Sequence, residues 1–237
     1  MKLGLSSAAA PESGAEDLVT ACAARGLTAL ELRAGDGHGV EAGDEARIAD
    51  LLALAAGANV DIAGYRAADS RDAASLARLS KALCTAIIVA DECDTAERIH
   101  RARRIVDAGG RALVAASGAP RAWHSALTAS GLDYAWEVDA ASGDVSDAAE
   151  TVLRQPGLRY IRFVGGGPES SLQEGRGIGA LMGGLALAAY DGPVILAPSS
   201  TRYRVAWETW LGRRGGWGCG SKSSAPELVH LPVRTAT

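Results

Sequence analysis

The feature that most limits what this chain can fold into is an apolar, strand-like segment that recurs eight times, each time followed by a segment with helical spacing. The apolar segments are 2–6, 29–33, 60–67, 85–90, 112–117, 134–139, 158–165 and 193–200. The helical segments are 15–26, 45–58, 73–84, 96–110, 120–131, 147–157, 177–192 and 204–212. Strict alternation of strand and helix makes neighbouring strands pair in parallel through crossover helices. The sequence therefore predicts an α/β protein.

Several of the predicted strands are apolar along their whole length, such as TAIIVA (85–90) and ALVAAS (112–117). Such strands are typical of a sheet that has helices on one face and a packed interior on the other. The chain has 237 residues, 48% of them hydrophobic, which suits one large core. Eight units of this length predict a single-domain (β/α)₈ TIM barrel over 1–212, with an irregular C-terminal tail over 213–237. An open, doubly wound sheet is the alternative.

The overall charge argues against nucleic acid as a partner. The formal net charge is −4, the pI is about 5.6, and the arginines are scattered along the chain. The four cysteines form no CxxC pair and the N-terminus runs directly into a strand, so we expect a cytoplasmic protein. No apolar run approaches the roughly 20 residues that cross a bilayer, so no membrane partner is expected. A homodimer stays open, because the sequence marks no surface for one.

Active sites of TIM barrels lie where the strands end, and the second strand carries three candidates there. Glu31 and Arg33 share one side of the strand, and His38 follows on a glycine-rich loop. One interpretation is a carboxylate and a guanidinium that face the barrel mouth, with His38 as an acid or base. The other is an internal Glu31–Arg33 ion pair beneath an ordinary loop.

Two acids close the sixth strand, in the stretch YAWEVDAASGDV (134–145). Glu137 and Asp139 stand two residues apart, so both point to the same face of the strand. In a barrel covered by helices, that face is the interior, where a carboxylate must be paired, solvated in a cleft or part of the chemistry. We therefore count both as candidate catalytic residues.

The ends of the last two strands predict a binding site for an anionic group. Arg162 lies near the end of the seventh strand and is followed by Gly165, Gly166 and Gly167, while Ser199 and Ser200 follow the eighth strand. Backbone N–H groups of the corresponding loops hold phosphate in many barrels. Ordinary turns are the competing explanation, since no GK[ST] motif follows the glycines.

Four stretches together resemble the sugar phosphate isomerase/epimerase family, which has the xylose-isomerase-like TIM barrel. They are KLGLSS (2–7), AARGLTALELR (23–33), YAWEVDAASGD (134–144) and GPVILAPSS (192–200). The resemblance covers residues 1 to about 212. It implies an enzyme that moves a proton next to a sugar carbonyl and holds a divalent metal with Glu, Asp, His and Glu.

Most of that metal set is missing here. By position, the first Glu of the family corresponds to Ala116 or Ser117, the Asp to Asp139, the His to Arg162 and the last Glu to Ala197. A single carboxylate makes a weak cation site, and a guanidinium beside it repels a cation. The sequence therefore predicts neither a metal nor another cofactor, although a divalent ion held through Asp139 stays open.

These residues lead to two hypotheses of function. The first is a metal-independent isomerase or epimerase, or a related lyase, acting on a small sugar, sugar phosphate or hydroxy acid. In it, Glu137 or Glu31 is the base, Asp139 is its partner or binds a hydroxyl group, and His38 is a second acid. Arg162 and Arg33 bind the oxyanion or a phosphate. Because neighbouring carboxylates raise each other's pKa, one of them would suit a base at neutral pH.

The alternative hypothesis is a catalytically inactive barrel that binds a small molecule or serves as a partner subunit.

Overall fold

A computed structural model of the chain describes residues 2–67, 72–90, 93–117, 123–139, 157–165, 185 and 189–197, without the side chain of Asp139. Several sequence predictions fall outside these residues. They are the tail at 213–237, the helical segment 204–212, the helical segment 147–157 except its last residue, most of the segment 177–192, the residues Gly166, Gly167, Ser199 and Ser200, and the side chain of Asp139.

The described residues form eight strands, and each lies within a predicted segment. They are β1 (Lys2–Ser6), β2 (Ala29–Arg33), β3 (Asp61–Ala67), β4 (Ile87–Val89), β5 (Ala112–Ser117), β6 (Tyr134–Asp139), β7 (Leu158–Val164) and β8 (Pro193–Ala197). The fourth strand is shorter than the predicted segment 85–90. Thr85 still belongs to the turn from the preceding helix, where its backbone N–H donates to the Ser80 carbonyl.

Five α-helices and one short 3₁₀ helix lie between these strands in the described residues. The α-helices are α1 (Ala15–Ala23), α2 (Glu45–Gly57), α3 (Ala73–Ala82), α4 (Thr95–Asp107) and α5 (His124–Ser130), and the 3₁₀ helix spans Ser7–Ala9. Three of the helices begin where an aspartate caps the first turn. Asp44, Asp72 and Asp94 each accept hydrogen bonds from backbone N–H groups two or three residues ahead. No helix in this part of the chain is both long and apolar enough to span a membrane.

The sheet closes into a barrel. Each strand pairs in parallel with the next one along the chain, and β8 pairs with β1, with Leu3 beside Val194 and Leu5 beside Leu196. The predicted TIM barrel is therefore confirmed, and the alternative of an open, doubly wound sheet is wrong. In a closed barrel the carboxyl ends of all eight strands meet at one mouth.

The barrel has an apolar layer inside its amino-terminal half. Ala29, Ile88, Leu113 and Ile195 are buried there, together with the ring of Tyr160. Two glycines make room for the larger members. A Cβ on Gly4 would collide with the side chain of Ile195, and a Cβ on Gly64 would stand 3.2 Å from the ring of Tyr160. The interior is therefore a packed core beneath the mouth.

Candidate active site

Polar side chains fill the barrel interior above this apolar layer. They come from five strands, β1, β2, β3, β6 and β7, and we call them the barrel cluster: Ser6, Glu31, Arg66, Glu137, Tyr160 and Arg162. Ser6 is the last residue of β1 and Arg66 the last but one of β3, so the cluster faces the mouth. This is the end of the barrel at which TIM-barrel enzymes carry out their chemistry.

Glu31 is the buried centre of the barrel cluster. Its side chain is 0% exposed. Its Oε1 atom accepts hydrogen bonds from Ser6 Oγ at 2.6 Å and from Arg162 Nε at 3.1 Å, and its Oε2 atom accepts one from the Tyr160 hydroxyl at 2.8 Å. Burial acts to raise the pKa of Glu31, but the charges of Arg162 and Arg66 and the two hydroxyl donors outweigh it, so the pKa lies below its ordinary value. Glu31 is therefore a fixed anion.

Tyr160 stays protonated and serves as a donor. Burial, followed by the negative charge of Glu31, raises the pKa of Tyr160 well above its ordinary value. The ring fits because Gly64, on the opposite side of the barrel, has no side chain in its way. The hydroxyl therefore reaches from β7 to Glu31 on β2 and satisfies one of its oxygens.

Glu137 is the second carboxylate of the barrel cluster and lies closer to solvent. Its side chain is 13% exposed. The Oε1 atom accepts hydrogen bonds from Arg162 Nη1 at 3.4 Å and, at closer range, from Arg66 Nη1. Among the described residues, no group donates to Glu137 Oε2. One oxygen of Glu137 is therefore held by two guanidinium groups, and the other accepts no hydrogen bond from the described residues.

The strand register explains two of these contacts, and the barrel's curvature explains the others. Ser6 lies beside Glu31 in the β1–β2 ladder, and Glu137 lies beside Arg162 in the β6–β7 ladder. The remaining contacts join strands that are not neighbours. Arg162 on β7 reaches Glu31 on β2, and Arg66 on β3 reaches Glu137 on β6. Closure of the sheet brings these two pairs together.

A separate group of polar residues supports the loops after β1 and β2, and we call it the loop cluster: Ser7, Arg33, Asp36 and His38. Asp36 Oδ2 accepts a hydrogen bond from Ser7 Oγ at 2.6 Å. Asp36 Oδ1 accepts from Arg33 Nη2 at 2.7 Å and Arg33 Nε at 3.1 Å. The Arg33 backbone N–H donates to Ser7 Oγ at 2.8 Å. The loop cluster therefore fastens the start of one βα loop to that of the next.

His38 is buried within the loop cluster, with 1% of its surface exposed. The backbone N–H of Val40 donates to Nδ1 at 3.0 Å, so that nitrogen carries no proton. The proton is then on Nε2, which donates to the Arg33 carbonyl at 2.8 Å. Both ring nitrogens therefore bind backbone groups, an arrangement that favours a structural role.

The structure separates the residues that the sequence placed at the site into two groups. Glu31, Glu137 and Arg162 meet in the barrel cluster, while Arg33 and His38 lie in the loop cluster. One interpretation of the sequence was an internal ion pair between Glu31 and Arg33. It is wrong, because Arg33 forms its ion pair with Asp36 and Glu31 forms its ion pair with Arg162. The expectation of a raised carboxylate pKa is wrong for Glu31, because the nearby cations outweigh its burial.

The predicted anion-binding loops are described in only one position. The backbone N–H of Gly165 donates to the Ala197 carbonyl at 3.1 Å, which joins the ends of β7 and β8. The phosphate site itself, with the other glycines and both serines, stays a prediction.

The candidates chosen from the sequence did not include five residues of the two clusters: Ser6, Ser7, Asp36, Arg66 and Tyr160. Two of them carry a signal that period-two counting detects. Arg66 is two residues beyond Gly64 and Tyr160 is two residues before Arg162, so each shares the inward face of its strand. Ser6 is marked only by its position at the end of β1, beside Glu31 in the β1–β2 ladder. Ser7 and Asp36 carry no comparable signal, because their contact with each other depends on how the two loops fold.

The described side chains at the mouth do not fit the divalent metal that the family resemblance implies, and the side chain of Asp139 lies outside them. No three His, Cys, Asp or Glu side chains converge within the described ranges. Both Glu31 oxygens already accept hydrogen bonds, and two guanidinium cations bracket Glu137. A dication placed beside them would be repelled, and it would have to displace hydrogen-bonded donors. Positive charge at this mouth comes from arginine.

No family model and no curated protein matches the chain, whereas solved structures do. The crystal structure of D-psicose 3-epimerase in the presence of D-fructose has a TM-score of 0.59 and 14% identity, over 89% of this chain and 90% of that chain. D-psicose 3-epimerase from Clostridium cellulolyticum H10 with D-tagatose gives 0.57 and 14%, over 89% and 90%. A xylose isomerase domain containing protein from Salmonella typhimurium LT2 gives 0.55 and 12%, over 90% and 95%.

These likenesses define the class of fold. The chain shares the TIM-barrel fold of these epimerase and xylose isomerase domain structures. The resemblance seen in the sequence is therefore confirmed for the fold. Because identities are as low as this, the chemistry has to be argued from the residues at the mouth.

Proposed function

We propose that this protein is a metal-independent isomerase- or epimerase-type enzyme that removes a proton from the carbon next to a carbonyl group. The observation that carries the proposal is the state of Glu137. One of its oxygens is held by Arg66 and Arg162 at the mouth, and its other oxygen has no donor among the described residues. A carboxylate fixed in this way is oriented to accept a proton.

The reaction begins when Glu137 Oε2 takes the proton from the carbon beside the substrate carbonyl. The electron pair of the broken C–H bond forms a C=C bond, and the carbonyl oxygen gains the negative charge of an enediolate. If Glu137 gives the proton to the former carbonyl carbon while the adjacent hydroxyl proton passes to the negatively charged oxygen, a new carbonyl forms and the product is an isomer. If water instead delivers a proton to the opposite face of the original carbon, the carbonyl forms again, Glu137 releases its proton to solvent, and the product is an epimer. The guanidinium groups beside Glu137 supply the positive charge that stabilises the enediolate.

Glu31 is not the base in this mechanism. Its side chain is fully buried, both its oxygens accept hydrogen bonds, and its pKa is lowered by neighbouring cations that outweigh burial. Its contribution is to hold Arg162, which in turn contacts Glu137. The two carboxylates therefore have different roles, because only one of them reaches the mouth.

The structural neighbours suggest which compounds to test first. The D-psicose 3-epimerase structures contain D-fructose and D-tagatose, which are ketohexoses with a hydroxyl group beside the carbonyl. Such compounds provide the acidic C–H bond that the mechanism needs. Sugar phosphates and hydroxy acids, which the sequence also suggested, complete the panel.

A second candidate function is a barrel that binds a small molecule without reacting with it. The observation that favours it is the balance of charge in the barrel cluster. Glu31 pairs with Arg162 and Glu137 pairs with Arg66, so the two negative charges are balanced by two positive charges without a substrate. This arrangement is compatible with either function, and only a rate measurement separates them.

The deciding experiment follows deuterium exchange from D₂O into D-fructose, D-tagatose and D-psicose by NMR. We expect wild-type exchange that survives dialysis against a chelator, and a loss of about 10²- to 10⁴-fold in Glu137→Gln, the usual contribution of a general base. Glu97→Gln is the matched control, because Glu97 pairs with Arg101 on α4, outside the barrel. Ligand-induced stabilisation without exchange across the full panel would favour the binding barrel.

A further inference from the structure

We propose that Arg66 is the guanidinium that binds the substrate oxygens, whereas Arg162 is a positioning residue that holds Glu137. The inference rests on the proposed function and identifies which cation of the barrel cluster contacts the substrate. Nothing in the strand alternation alone distinguishes the two arginines, because both lie on inward-facing positions near strand ends.

Burial separates the two arginines. The Arg162 side chain is 8% exposed and the Arg66 side chain is 16% exposed. Arg162 is also enclosed by Tyr160 and Glu31, which belong to the buried part of the cluster. Arg66 is therefore the more accessible of the two arginines.

Hydrogen bonding separates them further. Arg162 donates hydrogen bonds from Nε to Glu31 and from Nη1 to Glu137, so two carboxylates fix its guanidinium group. Arg66 uses Nη1 on Glu137, and its Nε and Nη2 atoms have no acceptor among the described residues. A guanidinium has five N–H donors, so Arg66 keeps several for a ligand.

The shape of these donors indicates the substrate class. An enediolate carries two oxygens on adjacent carbons in one plane, and a planar guanidinium binds such pairs of oxygens with two parallel hydrogen bonds. Arg66 sits beside the base Glu137, so the oxygens it binds belong to the carbons at which the proton is removed. The substrate class is therefore an α-hydroxy ketone or α-hydroxy aldehyde, with the hydroxyl and carbonyl oxygens both bound to Arg66.

Binding of acetohydroxamate, a stable mimic of an enediolate, tests this assignment by calorimetry. Because Arg66 also contacts Glu137, the measurement is made in the Glu137→Gln background, where positioning of the base no longer matters. We expect that adding Arg66→Ala weakens acetohydroxamate binding about 10- to 100-fold, as for a lost charged hydrogen bond. Arg159→Gln is the matched control, since the Arg159 side chain is 65% exposed and pairs with Asp133.

Exchange kinetics give a second readout. In the otherwise wild-type chain, Arg66→Ala should lower kcat about 10²- to 10³-fold, the loss seen when one oxyanion donor is removed. Guanidinium chloride, well below denaturing concentrations, should restore part of the rate in Arg66→Ala and none in Glu137→Gln. Arg66→Lys keeps the positive charge but lacks the planar guanidinium with its parallel N–H donors. It serves as a second variant if Arg66→Ala does not fold.

The outcomes separate this inference from the proposed function. Normal exchange and normal acetohydroxamate binding in the Arg66 variants would overturn the inference and leave the proposed function standing. Acetohydroxamate binding that depends on Arg66, without exchange in the wild type, would support the inference and overturn the proposed function. Absence of both exchange and binding in the wild-type chain would overturn both.

Discussion

The barrel cluster and the loop cluster are built from similar side chains, yet they use them differently. In the loop cluster, His38 binds two backbone groups, Ser7 accepts from the Arg33 backbone N–H, and all four members come from the first two strand–loop units of the chain. In the barrel cluster, the ion pairs and hydroxyl contacts join side chains from different strands, separated by 25 to 131 residues along the chain. The first arrangement fixes the main chain, and the second concentrates charge in one place.

The difference shows how to recognise a candidate site within a polar barrel mouth. Polar groups that satisfy backbone N–H and C=O groups are explained by the fold itself. Opposed charges that gather inside a barrel need a further explanation, because desolvating them costs free energy that a hydrophobic core would not. We therefore place the chemistry in the barrel cluster and assign a supporting role to the loop cluster.

The largest expected effect on stability is that of Glu31→Ala. It leaves the Arg162 guanidinium buried with one carboxylate partner instead of two, so we expect a loss of about 3–5 kcal/mol in the free energy of unfolding. Urea denaturation followed by circular dichroism measures it. The matched control is Glu97→Ala on the surface of α4, where the i,i+4 pair with Arg101 is worth less than about 0.5 kcal/mol. Similar losses for both variants would contradict the assignment of Glu31 as the centre of a buried network.

A smaller effect is expected for His38→Ala, and it tests the boundary between the two clusters. The substitution leaves the Val40 N–H without its acceptor, which costs about 1–3 kcal/mol in the free energy of unfolding. The rate at which the folded variant exchanges deuterium from D₂O into the substrate should stay within a few-fold of the wild-type rate. A large loss of exchange in a variant that remains folded would instead restore His38 as the acid or base that the sequence suggested.

The smallest effect is a dependence of stability on pH that originates in Glu31. Its pKa in the folded protein lies below the ordinary value of 4.5, so at acidic pH the unfolded chain binds the proton more readily than the folded one. The contribution of Glu31 is therefore fully present above its ordinary pKa and is lost as the pH falls through the folded-state value. Urea denaturation at a series of pH values should show a steeper acid loss for the wild type than for Glu31→Gln. Equal slopes would mean that Glu31 is not held as an anion.

Much of the fold was predictable because each strand–helix unit carries its own signal. The strands at 2–6, 29–33, 112–117 and 134–139 have the predicted bounds, since apolar runs bounded by turns mark them locally. The first helix ends at Ala23 rather than continuing to Gly26, because Gly26 adopts a positive φ of 66° in the turn that follows. Closure of the sheet was inferred from the number of units and is confirmed by the pairing of β8 with β1.

The candidate site was predictable only in part. Period-two alternation placed Glu31, Glu137 and Arg162 on inward faces, and the barrel brings these three together. The same alternation placed Arg33 beside Glu31, but Asp36 in the following loop captures its guanidinium. Loop geometry depends on contacts with the neighbouring strand–helix unit. The sequence of β2 alone therefore does not reveal that Asp36, rather than Glu31, pairs with Arg33.

The sequence by itself determined that this chain alternates strands and helices, that its strands are buried on both faces, and that acids and arginines stand at their inward ends. Only the tertiary structure decided which acid meets which arginine. Glu31 binds Arg162 across β1 and β8, and Glu137 binds Arg66 across the mouth, because closure of the barrel brings together strands that are distant along the chain. Local sequence patterns determine the direction in which a side chain points, and long-range packing determines which residues it contacts.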